Sequence, residues 1–156
     1  LVGSTFEIML PSTPEAAVEP PPVVAPLPSL RGSEIVALVE DDDVVRKMVA
    51  GMLTADGYRV TAARTFPELA REPAPARPFQ LLISVLAPEA ERSGRRMLRQ
   101  NPALRVLCIR QNETSKSAVD WLPAARQAQI TKPYALSELL RTTRKLLDSE
   151  RGESGA

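Results

Sequence analysis

Ile35-Val36-Ala37-Leu38-Val39-Glu40-Asp41-Asp42-Asp43 is the stretch on which the reading of this chain turns. Five apolar residues in a row, rich in β-branching, leave no polar face, as suits a parallel strand covered by helices on both sides. The run then stops in four acids. Beyond them Val45, Met48, Val49, Met52 and Leu53 recur at helical spacing, and Gly57 stands where a helix stop belongs. The alternation continues with a strand from Tyr58 to Ala62, a short helix from Phe66 to Arg71 and a strand from Phe79 to Ser84. A helix from Glu89 to Gln100, a strand from Arg105 to Ile109 and a short strand from Ala128 to Thr131 follow, and Leu136, Leu139, Leu140, Leu146 and Leu147 mark a closing helix. Five strands alternating with helices predict a parallel sheet with right-handed crossovers and helices on both faces, a doubly wound α/β domain.

Composition narrows the function. The chain has 156 residues, room for one ordinary domain and its tails. Lys and Arg number 20 against 19 Asp and Glu, so no bulk field favours nucleic acid or a membrane surface, and neither is expected as a partner. Histidine is absent, which excludes imidazole base catalysis, His metal ligands and a phosphohistidine within these residues. The lone Cys108 sits in the apolar run Val106-Leu107-Cys108-Ile109 and reads as a small buried hydrophobe. No apolar stretch reaches the ~20 residues needed to span a bilayer. The chain opens on Leu1 and reads as a piece of a longer protein, expected to be cytoplasmic whether or not its parent is attached to a membrane.

Four segments are expected. Residues 1–11 contain Phe6, Ile8 and Leu10 in alternation, a strand pattern with no neighbour nearby to pair with. Residues 12–33 form a semi-rigid linker, since seven prolines between Pro11 and Pro28 favour extended polyproline II over a ladder or helix. Residues 34–148 form the folded domain, and 149–156 a flexible tail.

In a doubly wound sheet, chemistry collects at the carboxyl ends of the strands. Those ends carry Glu40 and Asp41, Ser84, Arg110 and Lys132. Val39-Glu40-Asp41-Asp42, the turn Ser84-Val85-Leu86-Ala87-Pro88 and Thr131-Lys132-Pro133-Tyr134 resemble the three signature segments of a response-regulator receiver domain. The resemblance implies a flavodoxin-like (βα)5 three-layer sandwich with strand order 2-1-3-4-5. Residues 1–11 are similar to the last strand of the ATP-binding domain of sensor histidine kinases, so the order of parts resembles the C-terminal end of a hybrid histidine kinase.

The resemblance also marks departures. In the family two acids after the first strand hold Mg2+, which assigns that role here to Glu40 and Asp41, and an aspartate four residues before the loop proline accepts phosphate. Counting back from Pro88 gives Ser84, and no aspartate lies between Asp56 and Asp120. A serine hydroxyl, unlike a carboxylate, needs a base before it can attack. Arg110 stands where the family has Ser or Thr, and with Lys132 it is expected to supply the counter-charge to the acids, so that Mg2+ binds weakly or not at all. No aromatic precedes Lys132 within Gln127-Ala128-Gln129-Ile130, where the family's switch residue belongs, and Glu89 to Gly94 replace a shorter Gly-containing loop.

Trp121, Gln129 and Tyr134 are the candidates for partner contact, while Arg92, Arg95, Arg96 and Arg99 read as a solvated helix face. The function expected is a receiver-like signalling module, not an enzyme, without phosphoacceptor or resident cofactor. Its expected partners are the domains of the parent kinase or another signalling protein, with a homodimer kept open. Two alternatives stand beside it: a working receiver with an unconventional acceptor, and a flavodoxin-like small-molecule binder.

Overall fold

A computed structural model describes Glu7 and residues 31–85, 88–111 and 121–149. The upstream strand in residues 1–11, the proline-rich stretch up to residue 30 and the tail from residue 150 lie outside the described residues, Glu7 apart. The described chain runs β1 (Ile35–Val39), α1 (Asp43–Ala55), β2 (Arg59–Ala63), α2 (Phe66–Leu69), β3 (Leu81–Val85), α3 (Pro88–Gln100), β4 (Arg105–Arg110), a 3-10 turn (Ala124–Arg126), β5 (Gln127–Thr131) and α4 (Leu136–Asp148). The strands form one parallel sheet in the order β2-β1-β3-β4-β5, the topology expected from the sequence.

Alternation along each strand sorts its side chains onto two faces. Val36, Leu38, Leu81, Ile83, Leu107, Ile109 and Ile130 form one core with Val49 and Leu53 of α1 and Leu139, Leu140, Leu146 and Leu147 of α4. Ala37, Val39, Leu82, Val106 and Cys108 form the other, under Leu69 of α2 and Met97 and Leu98 of α3, with Leu104 and Leu122. Cys108 is buried there, and burial pushes its thiol up to about 12, which leaves it inert at neutral pH.

Local chemistry fixes the element ends. Asp42 caps α1, its Oδ1 accepting from the N–H groups of Val44 and Val45 at 2.8 and 3.0 Å. Gly57 ends that helix at φ 94°, where a Cβ would stand 2.5 Å from the Gly32 carbonyl oxygen, so only glycine fits. Residues Glu89 to Gly94 lie in α3, within the helix expected from Glu89 to Gln100, and β3 runs one residue further than expected, to Val85.

Candidate functional site at the strand ends

The carboxyl ends of the strands bring Glu40 and Lys132 together. Both continue the alternation of the α1/α4 face, Glu40 after Leu38 and Lys132 after Ile130. Glu40 is only 1% exposed, and a carboxylate buried to that extent needs partners. Its Oε2 accepts from Lys132 Nζ at 3.2 Å and its Oε1 from the Asp42 backbone N–H at 3.3 Å. Asp41 is exposed, and its carboxyl is held below the ordinary value first by a hydrogen bond with Glu40, against a small burial effect, and further by backbone N–H groups and the Lys132 charge.

Two residues that the sequence did not single out complete this corner. Arg46 donates to the Glu40 backbone oxygen at 2.9 Å and pairs with Asp43 at 2.5 Å, which ties the end of β1 to the first turn of α1. Arg64, after β2, reaches the same Asp43 oxygen at 2.6 Å. The helical spacing of Asp43 and Arg46 was the available signal for the first contact. Tyr134 is half-buried against the α1/α4 core, and its hydroxyl has no hydrogen-bond partner among the described residues. Burial raises its pKa, and the Glu40 charge raises it further, so the ring stands within electrostatic reach of the acid.

Ser84 lies on the other face of the sheet from Glu40 and Lys132. Ser84 pairs with Val39 of β1 and Cys108 of β4, both residues of the α2/α3 face, and it is 1% exposed with Oγ donating to the Val85 carbonyl at 3.1 Å. Arg110 alternates with Val106 and Cys108 and so leaves β4 on that same side, away from the face of Glu40 and Lys132. Its backbone oxygen accepts from the Lys132 N–H at 2.9 Å, which locks the end of β5 against β4.

Glu40 and Asp41 are the residues that would hold a magnesium ion, which takes oxygen ligands in near-octahedral geometry. Here one Glu40 oxygen is bonded to the Lys132 ammonium, and no group of three or more His, Cys, Asp or Glu able to hold a metal occurs among the described residues.

No protein-family model matches the chain. It is 30% identical to the response regulator MprA of Mycobacterium tuberculosis (strain H37Rv) over 125 residues, 78% of this chain and 54% of that protein. MprA of Mycolicibacterium vanbaalenii matches at 30% over 130 residues, 78% and 55%. The chain thus spans about half the length of the curated relatives it matches. Among solved structures, the BeF3-activated DrrB receiver domain superposes with a TM-score of 0.60 at 22% identity, covering 75% of this chain and 99% of that one. The non-phosphorylated HemR receiver domain from Leptospira biflexa gives 0.61 at 22%, covering 73% and 94%. The described domain is a response-regulator receiver domain in fold.

The contact candidates sit in different surroundings. Trp121 packs half-buried on the α2/α3 core, with the Arg95 guanidinium 5.4 Å from its ring centroid. Gly94 makes the seat, since a Cβ there would meet the indole at 2.7 Å. Gln129 is half-exposed on the edge strand β5. Tyr134, as described, turns partly inward. Arg92, Arg95, Arg96 and Arg99 are all exposed on α3, and Arg95 pairs with Glu91 one turn away at 2.9 Å. Among the described residues no helix is long and apolar enough to cross a membrane.

Proposed function

We propose that this receiver domain takes no phosphoryl group and works by contact with other proteins, as a module of two-component signalling at the end of a hybrid histidine kinase. One observation carries the reading. At the strand ends, the only candidate nucleophile of β3, the Ser84 hydroxyl, is spent on the Val85 carbonyl and faces away from Glu40 and Lys132. A hydroxyl needs a base before it can attack, and the chain contains no histidine. Lys132 supplies the counter-charge to Glu40. The idea that Arg110 shares this work has less support, since Arg110 starts from the other face.

The surface supports contact rather than chemistry. Beside the capped start of α1, Val44 and Met48 lie one turn apart and 74% and 43% exposed, large apolar groups that a partner could cover. The parent kinase is the partner proposed first, on the strength of the histidine-kinase-like strand in residues 1–11 and the proline-rich tether that follows it. In this reading the domain needs no resident metal or cofactor and acts on the cytoplasmic side.

Exposure of the purified chain to radiolabelled acetyl phosphate and Mg2+ tests the first half of the proposal. No retained label is expected, and label in stoichiometric amount would overturn it. Autophosphorylation of the full-length parent, compared with a version truncated after Pro28, tests the second half. A changed rate is expected, and equal rates would remove regulation of the parent.

A further inference from the structure

We infer that the groove between α2 and α3 is a seat for the chain's own proline-rich acidic segment, residues 12–30, which docks there within the same chain and draws the tether against the domain. The inference goes beyond the proposed function and holds whether or not the domain takes a phosphoryl group.

The groove is a cavity of about 690 Å3 on the α2/α3 side of the sheet. Phe66, Phe79 and Met97 form its apolar floor, half-buried on the second core, and Pro73, Pro75 and Pro78 of the connection from α2 to β3 wall it. The Asn101 side-chain amide donates to the Phe79 carbonyl at 2.9 Å, which fixes the floor to the end of α3. Aromatic rings beside pyrrolidines make a surface suited to an extended proline-rich peptide, since a polyproline II segment arrives already ordered and offers its own rings for packing.

Charge names the occupant. Arg77 and Arg96 line the groove, and Arg92 and Arg99 stand one turn to either side of Arg96 on α3. All four are exposed and enter no ion pair among the described residues, and they outnumber the two acids of the same rim, Glu72 and Glu89. Between Pro11 and Leu30 the only charged residues are Glu15 and Glu19, next to Pro20-Pro21-Pro22.

Chain geometry brings the two together. Gln80 and Ile35 bond each other twice, the Gln80 N–H to the Ile35 carbonyl at 2.8 Å and the Ile35 N–H to the Gln80 Oε1 at 3.1 Å, so Phe79 lies beside the point where the tether joins β1. A residue in polyproline II spans ~3 Å, so Pro20 reaches ~30 Å from Arg31, well beyond the ~13 Å radius of gyration of a domain of this size. A segment held so close is present at an effective concentration on the order of millimolar, so even a weak seat is filled.

The test places a nitroxide spin label on a Val23→Cys variant of the full 156-residue chain and reads the methionine methyl resonances by NMR. Cys108 is buried and stays unlabelled. Met97 lies in the groove, whereas Met52 lies on α1, whose end meets the tether side through the Gly32 N–H and the Asp56 carbonyl at 2.9 Å. Relative to the reduced label, a selective loss of Met97 intensity is expected. Equal losses at Met52 and Met97 would mean a tether that samples both sides of the sheet, and would overturn the inference.

Charge reversal supplies the second arm. Glu15→Lys with Glu19→Lys is expected to restore Met97, and adding Arg77→Glu with Arg96→Glu, both at exposed positions, to bring the loss back. A selective loss that persists unchanged through the first reversal would overturn the pairing of these acids with the groove. Spin-labelled chain mixed with unlabelled, isotope-enriched chain is expected to leave Met97 of the latter intact. Its loss in the mixture would assign the groove to a second copy instead.

Discussion

Two glutamates flank β1 on the same face of the sheet, Glu34 before it and Glu40 after it, 4% and 1% exposed. They are held in different ways. Glu34 sits in a closed network: Arg144 of α4 reaches its two carboxylate oxygens at 2.9 and 3.2 Å, the Ser33 N–H adds a bond of 2.8 Å, and the same guanidinium touches the Tyr58 hydroxyl and both oxygens of Asp148. Glu40 has one ammonium at 3.2 Å and one backbone N–H at 3.3 Å, next to the exposed Asp41. A planar fork of donors saturates a carboxylate, while an ammonium makes one adjustable contact. The amino end of the sheet is therefore built as a clasp and the carboxyl end as a loosely held pocket, which is where a doubly wound fold keeps its ligands.

The sharpest way to break this contrast is Arg144→Ala. It leaves Glu34 buried without its charge partner, and a loss of ~3–5 kcal/mol in denaturant-measured stability is expected. Replacing Glu34 and Arg144 together by leucine and methionine should recover most of it, since the cost lies in the stranded charge. A double variant as unstable as Arg144→Ala would show that the arginine acts through packing instead.

Acid separates the two ends next. Burial alone would raise the Glu34 carboxyl, but the Arg144 hydrogen bonds, backbone N–H groups and the Arg144 charge hold it below its ordinary 4.5. Its folded pKa being the lower one, its stabilisation is complete above 4.5 and is lost as pH falls through the folded value. Denaturation midpoints followed down through that range should fall in the wild type and fall less in Glu34→Gln. A parallel fall in both would assign the acid loss to other groups.

Lys132→Ala probes the pocket end. Its side chain is 28% exposed, so water can approach Glu40 once it is gone, and a smaller loss of ~1–2 kcal/mol is expected by the same denaturation assay. A loss equal to that of Arg144→Ala would erase the distinction between clasp and pocket. The smallest change is Ser84→Ala, at ~0.5–1 kcal/mol, because it removes one local hydrogen bond and opens no cavity of note. A much larger loss would mean that the hydroxyl does more than satisfy itself.

The sequence showed most of the fold because its signals are local. The apolar run Ile35 to Val39, the helical spacing of α1 and α4 and the Gly57 stop each need only neighbouring residues to be read, and the strand order followed once the resemblance was drawn. Glu40 and Lys132 were legible as a pair for the same reason, both standing where apolar strands end. The end of β3 was not. Ser84 and Val85 both suit a strand, and which of them faces Glu40 is decided by backbone pairing with β1, a contact that leaves no trace in local pattern. Arg144 was missed because its partner Glu34 lies 110 positions away and Arg144 itself looks like any charged residue on an amphipathic helix.

The seat of Trp121 on Gly94 gives the domain a built-in optical gauge. It is the only tryptophan in the chain, and it touches the second core, the backbone of α3 and an arginine cation at once. Any partner or modification that shifts α3 by a fraction of an ångström will change the indole's emission, so occupancy of that flank can be followed in solution without attaching a dye.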